Sequence, residues 1–475
     1  MRGALVVGSV HVRVFLSSPS GGRKLRESGR SPTSHGLVRL VQGRERRAQV
    51  GLAPSLRFVR QNQPSQEDQS VRVSTAFNRM LAIPGAFVRT VNFAPEGVVV
   101  EIGARARRRR CPCGYTTRAC YDTRHRRWRH LDLGSCQLFL ESEIARLDCP
   151  SCEVRTEQVP WARPGARHTK DFEDVVAWLA QRSDKTSVAR LLRCSWEAVD
   201  HIVTRVVDEH LDTSRLDGLY RIGVDEISYT RGHRYFTVVA DHDRGKVVWV
   251  ATGRDSRALA GFYEALGEER RARIEAVSMD LGSIYRSVTE SFVPHAAVCF
   301  DPFHVIQLAN RALDHVYGAS RPGTDGLITA KQWRAARYAL RAGAERLAED
   351  KRQILNQFRR TRYQLWRAWE LKEMLRDLYR VVEPANARAH LTAWLRSASL
   401  SRIGPFVLLA RQLRRHFDRV VAAVEWGLSN SRLEGINGKI RVIQRRGYGY
   451  PSPRSLASMI YLCLGGVTVT RPTER

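Results

Sequence analysis

Between residues 219 and 304 the hydrophobic pattern stops repeating as a helix and begins to alternate between strand and helix periods. LYRIGVDEISYT, HRYFTVVADHD and KVVWVATGRD read as three strands, the last two joined through Asp243-Arg244-Gly245 as a hairpin. SRALAGFYEALGEERRAR then reads as a helix, RIEAVSMD as a fourth strand, GSIYRSVTESF as a second helix and HAAVCFD as a fifth strand. This βββαβαβ order calls for one sheet with helices packed on it. Two of its strands end in a carboxylate. In the first, Tyr220, Ile222 and Val224 share one face and Asp225 takes the other, which sends the adjacent Glu226 to the opposite side. Asp280 ends the fourth strand. If that strand lies beside the first, the two acids can share a metal ion.

A third acid lies far downstream in SNSRLEGINGKIRVIQRR. Leu433, Ile436, Ile440 and Ile443 form an apolar helical stripe suited to packing on the sheet. Asn430, Glu434, Asn437 and Arg441 form a polar stripe beside it, and Lys439, Arg441, Arg445 and Arg446 make the helix basic. Three hard carboxylates suit Mg²⁺, or Mn²⁺, which keeps several waters. Two such ions about 3.5–4 Å apart suit in-line displacement at phosphorus, with Asp225 bridging them and Asp280 and Glu434 each completing one site. The chain of 475 residues carries a formal net charge of +30, almost all of its excess as Arg. Arg makes bidentate contacts to phosphate and guanine, so the balance points to DNA. No apolar run approaches the roughly 18 residues of a membrane span, and a DNA-associated protein of a reducing cytoplasm is expected.

Residues 1–72 are rich in Ser, Gly, Arg and Gln without sustained periodicity and read as a disordered leader. A start codon at Val71 or Val73 would make that leader dispensable. Residues 73–162 read as a strand-bearing DNA-recognition module. Six of the nine Cys fall between Cys111 and Cys152, which argues for metal and against a disulfide framework. Cys111, Cys113, Cys149 and Cys152 form two turn-borne pairs, a four-thiolate structural Zn²⁺ site by pattern. The first pair has C-x-C spacing, so Cys120 or His130 is an alternative ligand; Cys136, Cys194, Cys299 and Cys463 read as core. The same module carries Arg107, Arg108, Arg109 and Arg110, candidate phosphate contacts. Residues 163–215 read as a helix-turn-helix, its two helices meeting at Cys194-Ser195. Trp196, His201 and Arg205 on the second of these are candidate DNA readers. Residues 305–425 are helical throughout, with Trp333, Trp366, Trp369 and Trp394 at core positions and a break at Gly404-Pro405. Residues 426–466 return the chain to the sheet with Glu434. Residues 467–475 are a tail, and everything after Arg446 reads as little more than that.

These motifs, in their order, resemble the ISL-three family of bacterial insertion-sequence transposases, of the DDE class. The resemblance runs from about Ser74 to about Gly466. It rests on CPCG with a distant CPSC, GVDEISY with a hairpin and GRD, SMDLGSIY before CFDPFHVIQLANRALD, and SNSRLEGINGKIRVIQRRGYGY at the close. The C-x-C pair departs from the family's two-residue spacing. The resemblance implies an α/β multidomain fold: a ribonuclease-H-like catalytic core interrupted by an all-helical insertion and preceded by a zinc-binding module and a helix-turn-helix. It implies Asp225, Asp280 and Glu434 as catalytic acids, and a dimer or higher oligomer that cuts and rejoins DNA at terminal inverted repeats and target sites. Asp301 and His304, in DPFH, match a recurring Asp/Cys-x-x-His motif beside the core; from the residues alone Asp301 reads as a helix cap with His304 one turn on. The alternative function is a non-enzymatic, sequence-specific DNA-binding regulator derived from a transposase.

Overall fold

In the computed structural model the described residues are 72–211, 213–282, 284–320 and 329–474. The leader expected over 1–72 lies, but for its last residue, outside them.

The first unit opens with helix α1 (Val73–Leu81) and strands β1 (Ala86–Ala94) and β2 (Gly97–Ala104). Then come the short pair β3 (Arg109–Arg110) and β4 (Thr116–Thr117), the long strands β5 (Asp122–Leu133) and β6 (Cys136–Cys149), and β7 (Glu153–Thr156). The sheet order is β1-β2-β6-β5 with β7 also on β6. Its core gathers Val98, Val100, Ile102, Leu138 and Leu140 around Trp128 and Trp161. Strand β5 was not foreseen, because DTRHRRWRHLDL is mostly Arg and His. Its burial comes from Trp128 and His130, while Arg126 and Arg127 lie over the rings of Trp128 and Phe139.

Three capped helices follow: α2 (Lys170–Ala180), α3 (Lys185–Leu191) and α4 (Trp196–His210). Thr169, Asp184 and Ser195 accept from the backbone N–H of Phe172, Ser187 and Ala198, satisfying donors that a helix start leaves open. Arg193 turns the chain between α3 and α4 at φ 51°, a conformation that strains a residue with a side chain. Its guanidinium is held by Asp132 and by the Ser135 carbonyl at 3.0 Å, which ties the turn to the β5–β6 loop.

The second sheet is built from β8 (Arg221–Thr230), β9 (Arg234–Asp241), β10 (Lys246–Thr252), β11 (Ala276–Met279) and β12 (Ala297–Phe300), with helices α5 (Ser256–Arg271) and α6 (Tyr285–Phe292) between strands. Its order is β10-β9-β8-β11-β12. The β8-β9-β10 meander is antiparallel, and β11 runs parallel to both β8 and β12. The hairpin at Asp243-Arg244-Gly245 forms as read, with Gly245 at φ 67°.

From Pro302 to Glu425 the described residues form α7 (Pro302–Ala319), α8 (Ala330–Arg341), α9 (Glu349–Thr361), α10 (Tyr363–Arg380), α11 (Ala387–Leu400), α12 (Gly404–Arg414) and α13 (Phe417–Glu425), with two short 3-10 turns. Trp333 and Trp394 are buried, the Trp394 indole donating to the Leu371 carbonyl at 2.7 Å, and Trp366 and Trp369 pack against the same core. The chain then returns as α14 (Ser431–Arg446) and α15 (Pro453–Leu464). Helix α15 corrects the reading of residues after Arg446 as a tail. Ser452 caps it, Pro453 occupies its first turn, and Leu456, Met459 and Ile460 are buried.

The second sheet is covered on both faces. Ile222, Val224, Val277 and Met279 face α5, α7 and the helices beyond. Ile227, Phe236, Val238 and Val247 share one core with Val176 of α2, Val188 of α3, Ile202 and Val206 of α4, Ile436 and Ile440 of α14, and Ile460 of α15. The boundary expected at 215/216 therefore runs through continuous apolar packing. Of the four Cys expected in the core, Cys299 is buried, Cys194 and Cys463 are half-buried, and Cys136 is exposed at the β5–β6 turn, as the first residue of β6 on the face that buries Leu138 and Leu140 further along.

Candidate active site

Strand β11 pairs with β8 only as far as Ser278 opposite Gly223. Beyond that point β8 runs on beside β9 alone, and a cleft of about 560 Å³ opens at the freed edge. Asp225 and Asp280 both line it. Asp225 Oδ1 accepts the Glu226 backbone N–H at 2.7 Å, and Oδ2 accepts from Asn437 Nδ2 at 2.7 Å. Burial, and then the Asp280 charge, push the Asp225 carboxyl up from 3.8 to about 6. Glu226 lines the same cleft, contrary to the alternation argument. The alternation itself holds, but with no β11 neighbour at this level the cleft wraps round both faces of β8. Burial raises Glu226, with Arg254 opposing.

His304 Nδ1 lies 2.9 Å from Asp280 Oδ1 and 2.9 Å from Asp301 Oδ2. One Nδ1 proton serves one acceptor, and the directed hydrogen bond goes to Asp301, leaving Asp280 Oδ1 buried without one. The two carboxylates, Asp280 first, raise His304 to about 10, so the ring is an imidazolium. Potential ligand atoms of Asp280, Asp301 and His304 lie within 4.8 Å of one another. Asp301 does not cap its own helix, which corrects the capping reading. It is buried, and its Oδ1 accepts the backbone N–H of Asn430 at 2.9 Å, at the start of α14. Asn430 Oδ1 in turn accepts from Ser278 Oγ at 2.5 Å, and Ser278 Oγ meets His242 Nε2 at 2.6 Å. Buried polar groups of this kind fix how elements register.

Glu434 lies in the first turn of α14, exposed, one turn after Asn430 and one before Asn437. Its preceding residue, Leu433, presses on β8: a Cβ at Gly223 would come within 2.2 Å of Leu433 Cδ1. Glu434 is thus on the rim of the buried stripe, between two asparagines that touch the site. Among the described residues no hydrogen bond or ion pair to its carboxylate is seen. The cleft also contains Arg254, Gln307, Arg311 and Gln412, which the sequence reading missed. His304, Gln307 and Arg311 fall at i, i+3 and i+7 on α7, a spacing that marks one helix face.

A transposase family model matches residues 222–460, and a model for the helix-turn-helix domain of transposase family ISL3 matches residues 157–207. The chain is 40% identical over 370 residues to the transposase for insertion sequence element IS1557 of Mycobacterium tuberculosis, in strains CDC 1551 / Oshkosh and ATCC 25618 / H37Rv, across 73% of this chain and 83% of the relative. It is 28% identical over 349 residues to the transposase for insertion sequence element IS1001 of Bordetella parapertussis, across 71% and 84% respectively.

The chain belongs to the ISL3 family of transposases.

In the transposase the matched helix-turn-helix segment contains α2, α3 and all but the last turn of α4. His201 is exposed, and Trp196 is half-buried with the Lys185 ammonium 4.8 Å from its ring. Arg205 is engaged by Glu173, which is buried and also pairs with Arg163 at 3.2 Å. On α14, Lys439, Arg441 and Arg445 are exposed, whereas Arg446 donates to the Gln181 and Ala180 carbonyls at 3.0 Å each. In the first unit Arg107, Arg108 and Arg110 are exposed, and Arg109 donates to the Arg118 carbonyl at 2.8 Å. No helix among the described residues is long and apolar enough to cross a membrane.

The four thiols of Cys111, Cys113, Cys149 and Cys152 converge within 4.8 Å of one another. Cys113 and Cys149 Sγ are 3.5 Å apart, near the roughly 3.8 Å edge of a tetrahedron with 2.3 Å metal–sulfur bonds. The C-x-C turn closes because Gly114 takes φ 100° and the Cys111 N–H bonds the Tyr115 carbonyl at 2.8 Å. The Tyr115 backbone and then the neighbouring thiols bring Cys113 down to about 7. His130 is instead buried against Thr169, 2.8 Å away, and Cys120 is exposed outside the cluster.

Proposed function

We propose that this protein binds the terminal inverted repeats of an insertion sequence and catalyses metal-dependent strand cleavage and strand transfer, with Asp225, Asp280 and Glu434 as the catalytic acids. One observation carries the reading: Asp225 and Asp280 line one cleft at the open edge of β8, and α14 reaches that cleft through the Asn437–Asp225 hydrogen bond. The donor set fits a hard divalent cation, since two carboxylates share one cleft and Asp225 is raised partly by its like-charged neighbour. Mg²⁺ or Mn²⁺ held by Asp225, Asp280 and Glu434 supplies Lewis-acid activation of the attacking and leaving oxygens. Asn437 fixes the rotamer of Asp225, Asn430 and Asp301 fix the start of α14, and His304 steadies Asp280. Arg254 and Arg311, on the cleft wall, suit the flanking phosphates.

The second sheet with its helices is read as a ribonuclease-H-like core, 216–304 and 426–466, with 305–425 as an all-helical insertion. The first unit, 73–162, is read as a zinc-binding DNA-recognition module, with Cys111, Cys113, Cys149 and Cys152 holding one structural Zn²⁺. Arg107, Arg108, Arg110, His201, Lys439, Arg441 and Arg445 are the DNA contacts this reading keeps. A dimer or higher oligomer on DNA is part of it. The test is cleavage of labelled end DNA by the full chain carrying Asp225→Asn, Asp280→Asn or Glu434→Gln. Each is expected to abolish Mg²⁺-dependent cleavage and to leave end binding intact; near-normal cleavage by any one removes that residue from the site.

A further inference from the structure

The seam between the helix-turn-helix and the helix that bears Glu434 contains buried and half-buried polar contacts at specific places. Arg446, in the last turn of α14, satisfies two carbonyls at the end of α2, those of Ala180 and Gln181. The Gln181 side chain donates to the Leu462 and Val467 carbonyls at 2.8 and 3.2 Å, at and just past the end of α15. Lys185 of α3 is buried, pairs with Asp200 of α4, and donates to Ser455 of α15 at 3.1 Å. Charged groups buried in a seam add little net stability, since their pairing only offsets lost hydration, and their best-attested role is to fix register. The other end of α14 is pinned to the acids through Asn430–Asp301 and Asn437–Asp225. Helix α14 is therefore a strut fixed at both ends.

We propose that Arg446 and Gln181 are positioning residues that select the phosphodiester to be cut, by holding the reading helices at one distance and angle from the acids. The proposal rests on the cleavage reading above. The lever is long enough to matter. Twelve residues separate Glu434 from Arg446, about 18 Å of helix. A pivot of about 10° over that length shifts the far end by about 3 Å, close to the roughly 3.4 Å rise of one base pair.

The experiment maps cuts at nucleotide resolution on a labelled duplex carrying the element's terminal repeat, using the full chain with Mg²⁺ and measuring end affinity in parallel. Wild type should cut at one dominant phosphodiester. Arg446→Met should spread the cuts over two or three neighbouring phosphodiesters, with end affinity within about threefold of wild type. Gln181→Ala should spread them less, and serves alone if Arg446→Met does not fold. Arg446→Lys, which can still reach a carbonyl, should restore most of the sharpness. A single sharp cut from the folded Arg446→Met and Gln181→Ala proteins overturns the proposal while leaving the cleavage reading intact. Wild type that does not cut overturns both.

Discussion

Gly223→Ala tests whether the acids depend on the fit of α14 against β8. The added Cβ would sit 2.2 Å from Leu433 Cδ1, 2.7 Å from His242 Nε2 and 3.0 Å from Ser278 Oγ. Ordinary carbon contacts begin near 3.5 Å, so Leu433 must withdraw by roughly 1.3 Å. His242 and Ser278 are buried and hydrogen-bonded to each other at 2.6 Å, so the opposite wall cannot yield cheaply. The displacement falls on the Leu433 side chain and, because that side chain is buried with little room to re-orient, on α14 behind it. Overpacking of this size costs about 1–3 kcal/mol, within the roughly 5–15 kcal/mol by which a domain is stable, so the chain still folds. Catalysis is less forgiving. Leu433 and Glu434 are adjacent, and misplacing a reacting group by about 1 Å costs on the order of 100-fold. The assay pairs thermal melting with Mg²⁺-dependent cleavage of end DNA. The expected result is a melting point lower by several degrees and cleavage reduced about 100-fold, with end binding near normal. Leu433→Val removes Cδ1, so the double variant should recover part of the rate. A folded Gly223→Ala protein that cleaves within threefold of wild type would refute the argument that this contact places Glu434.

Purified under reducing, chelator-free conditions, the protein should carry about one Zn²⁺ per chain, and Cys149→Ser should lose it together with end affinity; elemental analysis that finds no zinc rejects the four-thiolate site. Acid should destabilise the metal-free protein through His130 and His242, which burial holds near 4 instead of 6.5. Because the folded state keeps these rings neutral while the unfolded chain protonates them, their stability is complete above pH 6.5 and is lost as pH falls toward 4, by at most about 1.4 kcal/mol per pH unit for each ring. Asp225, raised to about 6, works in the opposite direction over the same window and offsets roughly one of them. Melting points measured from pH 7 to 4.5 should fall less steeply for His242→Gln than for wild type; parallel curves would remove His242 from the account.

Strands and helices with strong periodicity were legible in the sequence because local pattern and tertiary burial agree there. Strands β8 to β12, the β9–β10 hairpin and the apolar stripe of α14 are of that kind. Strand β5 was not, since arginines flank its buried Trp128 and hide the alternation. Helix α15 went unread despite Ser452-Pro453, a start signal, because GYGYPSP resembles a terminal loop. At the site, spacing along α14 put Glu434 and Asn437 on one polar stripe, but only packing reveals that Asn437 holds Asp225. The bond from the Asn430 backbone to Asp301 spans 129 positions and has no local signature. Charge pattern likewise could not tell Arg441, which is exposed, from Arg446, which is spent on two carbonyls.

The core shared by α2, α3 and α4 with the second sheet constrains which residues of α4 can vary. Val199, Ile202, Val203, Val206 and Val207 of α4 all lie in that core, so a substitution at any of them disturbs the packing of β8, β9 and β10 as well. What remains free to drift on α4 is the exposed set around Glu197, His201 and Asp208. Change on α4 is therefore confined to a few surface positions of a helix otherwise held by the shared core, and a helix-turn-helix exchanged whole would have to match the buried residues of β8, β9, β10, α14 and α15.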